Sequence, residues 1–500
     1  MFLHLESQGL MNKQAKYISI PLILLALLLS NCNEVQERHA INMDISRPID
    51  IKTDSEKEVF YILNSNMAGD FKDGSILLVD KSGNKLEAFS TPSLGRSLYV
   101  NNNLAQSSGS KQRLLASFEG GQDDSQATIQ VYDLSNAKKP QLEKTWNIEG
   151  RPANAVLDET GTKIAVSCYD GELYLGSLED EDPSNWSLKH IRTYPGPLRR
   201  AMVFRQGMLY LFVTFPLSPL ARDQIYQDTK TFDDKGEVTD ENTPDGMPDK
   251  FAEENYAFYR KQTSFFHFVT LDVELALSET ENSSVSLPKS FKETQSELKW
   301  LYFNLEGADS SLDTGSADSE KGERFYRTNF WQATPHIDGD KFYLSQRGGY
   351  SENSGKISSL SNNVLLFEIK AEEEAGVENG YFNVERYFGY EESLHDVKRS
   401  YVGAFDLLSY GSENIEQNLL VVNHFRGPDM SSDPYYSLTS LVPKDPSKDN
   451  YKIKSSEKME GSYYSVAVGD GGVILSSFFY ANKLVLLDSE LNIIKEINSE

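Results

Sequence analysis

Cysteine is nearly missing from this chain: 500 residues contain two, Cys32 and Cys168. Cys32 ends an apolar leader, and Cys168 lies within an alternating apolar segment on the face of Ile164 and Val166. That placement argues against an internal disulfide, leaves no thiol-rich metal site, and reads Cys168 as a small buried hydrophobe. Basic charge is also short, with 49 Lys and Arg against 75 Asp and Glu and a formal net charge of -26. Nucleic acid is therefore not an expected partner, because phosphate binding needs a net basic face. Beyond the leader no GxSxG elbow, HExxH helix, P-loop or GxGxxG fingerprint occurs, which weakens the commoner hydrolase and nucleotide readings. Tyr and Phe are abundant at 26 each, and pleated sheets favour such residues.

The only long apolar run spans residues 18–29. It follows Lys13 and Lys16 and precedes Ser30-Asn31-Cys32, the order of an export signal, too short and wrongly flanked for a resident membrane helix. The first ten residues contain Glu6 and no Lys or Arg, so Met11 is the expected start. Leu29-Ser30-Asn31-Cys32 resembles a bacterial lipobox, with Asn31 where such boxes usually carry Gly, Ala or Ser. The resemblance implies that residues 1–32 are a lipoprotein signal, that Cys32 is acylated, and that the mature chain is tethered to the cell envelope, most naturally at the outer membrane. Residues 33–46 are polar, lack apolar periodicity and read as a tether.

From residue 47 to residue 500 the chain repeats one phrase. Its clearest example is Gly150-Arg151-Pro152-Ala153-Asn154-Ala155-Val156, a turn at 158–161, a strand at 163–168, a tight Tyr169-Asp170-Gly171 turn and a strand from Glu172. Alternation gives each strand two distinct faces, and Gly or Asp supplies each reversal. The third strand of the phrase recurs at 75–80, 128–133, 172–178, 266–272, 364–368, 436–441 and 483–488, seven times in all. Units of four short strands repeated in this way predict an all-β, seven-bladed β-propeller with four antiparallel strands per blade, which closes on itself and hides its sheet edges. The phrases resemble the YVTN repeat of lactonase-like propellers. The tryptophan docking motifs of quinoprotein propellers and the Asp-boxes of sialidase-type propellers are not visible.

Turns between the first and second strands are expected to stay short, as at 158–161, 205–207, 338–340 and 469–471. The opposite face is expected to carry the long insertions: about 215–264, 307–327, 347–362 and 426–433. Arginines recur where first strands begin: Arg47, Arg96, Arg151, Arg199 or Arg200, Arg399 and Arg327. In that register they ring the channel on the elaborated face, either tied to local carboxylates and carbonyls or offered to an anionic ligand. Arg347 and Arg426 open two insertions, beside Tyr350 and Phe425, and extend the candidate binding set. Within the largest insertion Asp240, Asn242, Asp245 and Asp249 resemble a calcium loop, since Asp245-Gly246 provides hard oxygen and a sharp turn. His336 and His424 end strands where a metal site could draw on them, although satisfied structural histidines are commoner.

These residues favour a binding or scaffolding module over an enzyme. The expected partners are the membrane, through the N-terminal lipid, and another envelope protein or an anionic glycan. The YVTN resemblance implies an alternative, a lactonase-like metal-dependent hydrolase, and the lipid anchor implies another, an outer-membrane assembly factor.

Overall fold

A computed structural model of the chain describes residues 38–54, 56–101, 111–120, 126–193, 198–205, 207–216, 231–232, 238–240, 264–278, 329–335, 341–347, 364–369, 382–388, 401–412, 415–426, 435–445, 450–455 and 463–499. The first phrase is β1 (Pro48–Thr53), β2 (Val59–Asn64), β3 (Gly74–Asp80) and β4 (Lys85–Thr91). The second is β5 (Gly95–Val100), β6 (Arg113–Phe118), β7 (Ala127–Asp133) and β8 (Gln141–Ile148). The third is β9 (Pro152–Leu157), β10 (Lys163–Cys168), β11 (Glu172–Ser177) and β12 (Ser187–Thr193). Next come β13 (Leu198–Arg205), β14 (Met208–Pro216), the hairpin of β15 (Thr231–Phe232) and β16 (Val238–Asp240), and β17 (Ser264–Asp272) running into α1 (Val273–Ser278). After β18 (Asn329–Pro335), β19 (Lys341–Arg347), β20 (Val364–Ile369) and β21 (Phe382–Phe388) follow β22 (Tyr401–Ser412), β23 (Ile415–Arg426), β24 (Tyr435–Asp445) and β25 (Asn450–Ser455). The last phrase is β26 (Tyr463–Val468), β27 (Ile474–Phe478), β28 (Lys483–Leu487) and β29 (Ile493–Asn498). All seven expected third strands are strands, at β3, β7, β11, β17, β20, β24 and β28.

Four phrases form separate four-stranded antiparallel sheets, in the orders β1-β2-β3-β4, β5-β6-β7-β8, β9-β10-β11-β12 and β26-β27-β28-β29. The repeat count predicts seven such sheets, whereas the described residues give these four and one 11-stranded sheet, with the β15-β16 hairpin apart. Two single bridges produce the merger: Arg200 pairs with Gln332 between β13 and β18, and Arg347 pairs with Gly403 between β19 and β22. The first strands nevertheless neighbour one another in a circuit, β1 on β5, then β9, β13, β18, β22 and β26, which returns to β1.

The core lies between sheets, which is why strands such as β2 are apolar on both faces. Tyr61 and Leu63 of β2 pack with Leu98, Leu114 and Phe118 of the next sheet, while Phe60 and Ile62 pack with Leu475, Leu484 and Leu486 of the last one. Cys168 is buried among Ile164, Val166 and Tyr174, and burial, with Asp170 and Glu172 nearby, pushes its thiol pKa up. Third-to-fourth turns repeat a local device: Asp80 accepts from the Ser82 and Asn84 N–H groups, as Asp488 does from Glu490 and Asn492. Such Asx turns fix each reversal without a long loop.

Two expectations need correction. The tether does not extend to residue 46: Ile41 and Ile45 are buried, and the Ile45 and Ser46 N–H groups donate to Ser499 Oγ and Asn64 Oδ1. A polar average over 33–46 hid two isoleucines that the fold uses. Nor are first-to-second connections short throughout, since β5 and β6 are separated by residues 101–112. Three of the four expected long connections fall between second and third strands, after β14, β19 and β23, and residues 307–327 lie outside the described residues.

Candidate functional site

Every first-to-second strand pairing slips register near the start of the first strand: at Pro48/Asp50, Gly95/Ser97, opposite Pro152, between Leu198 and Met202, at Phe330/Gln332, Ala404/Asp406 and Tyr463/Val466. A bulge re-aims the extra residue out of the sheet's alternation. The residues within these slips include Arg96, Arg199, Arg200, Trp331 and Tyr464, and their side chains gather on the face that receives the second-to-third connections.

Asp50 is the hub of this gathering, at 1% exposure. Its carboxylate accepts from Lys52 Nζ at 2.7 Å, Leu98 N at 2.9 Å and Ser465 Oγ at 3.1 Å, and Arg200 Nη1 stands 3.5 Å away. Four phrases therefore meet on one side chain: the first through Asp50, the second through Leu98, the last through Ser465 and the fourth through Arg200. Burial alone would raise the Asp50 pKa, but the charges of Lys52 and Arg200, with the hydrogen bonds from Lys52 and Leu98, outweigh it and hold the pKa below the usual carboxylate value.

Around the hub, Arg200 donates to the Arg96 carbonyl, and Glu119 bridges Arg96 to Arg151, the latter at 3.4 Å. Arg96 also lies 5.9 Å from the Tyr169 ring centroid. Burial lowers the Arg96 pKa, the nearby Arg200 and Arg151 charges add to that, and Tyr169 and Tyr464 oppose it. Arg199 stacks 4.8 Å over Trp331, and Arg47 lies 5.4 Å over Phe479, which stacks on Tyr464. Arg151 differs from its neighbours because its side chain is 61% exposed. Its N–H donates to Asp170 Oδ2 at 3.0 Å, an approach that Gly150 permits: a Cβ there, at φ +91°, would stand 2.7 Å from Asp170 Oδ1.

Of the expected ring, the structure brings Arg96, Arg151 and Arg200 together, while Arg47 lies over Phe479 and Arg199 over Trp331. Arg96 and Arg200 are tied to a carboxylate and to a carbonyl, Arg200 through partners remote in sequence, and the Arg151 side chain is mostly exposed. Arg327 and Arg399 lie outside the described residues, as do Tyr350, Asn242, Asp245 and Asp249. Arg347, Phe425 and Arg426 are described in backbone only, at the ends of β19 and β23, and Asp240 ends β16. Among the described residues no group of three or more His, Cys, Asp or Glu side chains is arranged to hold a metal ion. His336 lies outside them, while His190 contacts Glu172 and packs 5.2 Å from the Tyr174 ring.

Sequence reasoning passed over Asp50, Glu119, Trp331 and Tyr464. A signal for Asp50 existed: Arg47-Pro48-Ile49-Asp50-Ile51 matches Arg151-Pro152-Ala153-Asn154-Ala155 position by position, placing an acid amid apolar residues at the position of a neutral amide. Glu119, Trp331 and Tyr464 carried no such local mark.

Repeated units of consecutive antiparallel strands, with their first strands neighbouring one another in a circuit, define a β-propeller. No protein-family model matches the chain, and no curated protein does. Among solved structures it is similar to the β-propeller domain of Cps50 (Swd1) from Myceliophteria thermophila, at 8% identity and a TM-score of 0.48, covering 89% of this chain and 98% of that one.

Proposed function

We propose that the chain is an exported, lipid-anchored, seven-bladed β-propeller that binds an anionic partner on the face carrying its second-to-third connections. The blade count is supported by the circuit of seven neighbouring first strands and by the bulge repeated in each of their pairings; the bridges Arg200↔Gln332 and Arg347↔Gly403 then join adjacent blades rather than dissolve them. The Arg151-Pro152 phrase relates this propeller to the YVTN-repeat, lactonase-like type.

The observation that carries the binding reading is the exposed Arg151 beside Arg96 and Arg200, a local concentration of guanidinium groups in a chain of net charge -26. Arg399, Arg347 and Arg426 complete the proposed set. Because its side chain is mostly solvated, Arg151→Ala is expected to leave thermal unfolding unchanged and to weaken binding of carboxylated or phosphorylated polysaccharide about tenfold at low salt, the worth of one charge-assisted hydrogen bond. Unchanged affinity in a folded variant refutes the site.

The anchor is proposed from the basic, apolar, Ser-Asn-Cys order of the leader. Intact mass of the mature protein from its native host is expected to exceed the polypeptide beginning at Cys32 by a multi-acyl lipid, and Cys32→Ala is expected to move the protein out of the membrane fraction. A soluble, unmodified mature form sinks this part.

Calcium at Asp240, Asn242, Asp245 and Asp249 is proposed from the spacing of oxygen donors around Gly246. Millimolar calcium is expected to protect residues 217–263 from proteolysis, and Asp245→Ala with Asp249→Ala to remove that protection. Protection that is equal with and without calcium decides against it.

A further inference from the structure

The N-terminal segment and the arginine cluster emerge on one face. Strand directions fix that face: it holds the starts of the first strands, the second-to-third connections and the end of β29. Residues 38–46 run along it, because the Lys72 N–H donates to the His39 carbonyl, the Ile41 N–H to Asp73, the Ser65 and Asn66 N–H groups to Arg47 and Ser46, and Ser499 Oγ to Asp44. Cys32 precedes Arg38 by six residues, a reach of about 20 Å fully extended. A lipid on Cys32 therefore holds this face, rather than the face of the 158–161 and 469–472 turns, against the bilayer.

The face is equipped for that neighbour. Arg38, Lys72 and Arg151 are exposed on it. Among the described residues, two of the large exposed apolar side chains stand there as well, Met67 at 38% and Tyr480 at 57%; the others, Leu86, Leu142, Ile493 and Ile494, lie on outermost strands. Tyrosine favours the headgroup level of a bilayer, and guanidinium groups favour its phosphates. Several carboxylates of the face accept hydrogen bonds from the chain itself, Asp170 from the Arg151 N–H, Asp73 from Ile41 and Ser90, and Asp44 from Ser499, while Asp70, Glu149 and Asp170 are exposed there.

We infer that this face docks on the anionic headgroups of the membrane that anchors the chain, with Arg151 and Tyr480 at the contact. The inference rests on the proposed acylation of Cys32 and names the anionic partner of the arginine face as phospholipid. The docked propeller turns its opposite face, where Glu58, Glu159 and Asp470 lie, toward the aqueous phase.

Cys168 is buried, so an introduced cysteine becomes the only reactive thiol of the lipidated chain. Ala481→Cys, beside Tyr480, and Ser489→Cys, in the turn between β28 and β29 on the opposite face, are labelled with bimane after reconstitution. The vesicles are phosphatidylcholine with nitroxide-headgroup lipid, with or without phosphatidylglycerol. Quenching is expected to be at least threefold stronger at position 481 than at 489, to rise with phosphatidylglycerol, and to fall again when Arg151→Glu is added. Equal quenching at the two positions, or stronger quenching at 489, overturns the orientation. Intact mass of the reconstituted protein is read first: an unmodified Cys32 overturns the anchor and this inference together, whereas an acylated chain with equal quenching overturns the docked face alone.

Discussion

Replacing Asp50 by alanine is expected to cost about 3–5 kcal/mol of stability, the range for removing one partner of a buried ion pair. The carboxylate is the common acceptor for Lys52, the Leu98 N–H and Ser465, with Arg200 beside it, so its loss takes the anion from Lys52 and Arg200 and the acceptor from the Leu98 N–H around a site that is 1% exposed. Asp50→Asn retains an acceptor and removes the charge, and is expected to lie between alanine and wild type. Acid titration separates charge from packing. Because the folded pKa is depressed, the charge contributes stability that is fully present above the unfolded carboxylate value of about 3.9 and is lost as pH falls through the lower folded value. Urea unfolding at pH 7 is expected to separate wild type clearly from Asp50→Asn, and the gap is expected to close below about pH 4. A gap constant from pH 7 to pH 3 would mean that Asp50 acts by shape alone.

The second large effect is expected at Ile45. Its side chain fills the seam between the first and last sheets, with Ile51, Phe60 and Ile62 on one side and Ala467, Leu475, Leu486 and Ile497 on the other. Each of those two sheets is built of consecutive strands, so no strand from one end of the chain is exchanged into the sheet at the other. Closure rests on packing and on a set of bonds across the seam, among them the Arg47 N–H to Asn482 at 2.9 Å, the Ile45 N–H to Ser499 at 3.2 Å, Ser465 Oγ to Asp50 at 3.1 Å and the Asp470 N–H to the Lys57 carbonyl at 2.8 Å. Ile45→Val is expected to cost about 1 kcal/mol, as removal of one buried methyl group usually does. Ile45→Asp places a carboxylate there without a cation and is expected to cost several kcal/mol or to prevent folding. Hydrogen exchange is the discriminating readout: the valine variant is expected to lose protection first in β1 and in β26–β29. Uniform loss across all sheets would show that the seam is no weaker than any other sheet contact.

Local rules made much of this protein legible. A third strand such as 483–488 announces itself by a short apolar run and by an Asp that caps the following turn, and both devices act within a few residues. The repeat of such phrases implied radial closure, since a sheet apolar on both faces must be covered twice. The arginine positions were legible for the same reason: they belong to the phrase.

The functions of those arginines were not legible. Whether a guanidinium at a strand start is tied down or exposed depends on partners remote in sequence. Arg200 meets the Arg96 carbonyl 104 residues away, and Asp50 meets Ser465 across 415 residues. Burial decided the rest, because the hydration that a charge loses, and the fields that restore it, come from whichever blades the ring brings together. Sequence periodicity determined that there would be repeated units of short strands, the first four with arginines where their first strands begin. Only the closed ring decided that Asp50 would anchor four of them, that Arg151 would remain in solvent, and that the N-terminal segment would leave on the arginine face.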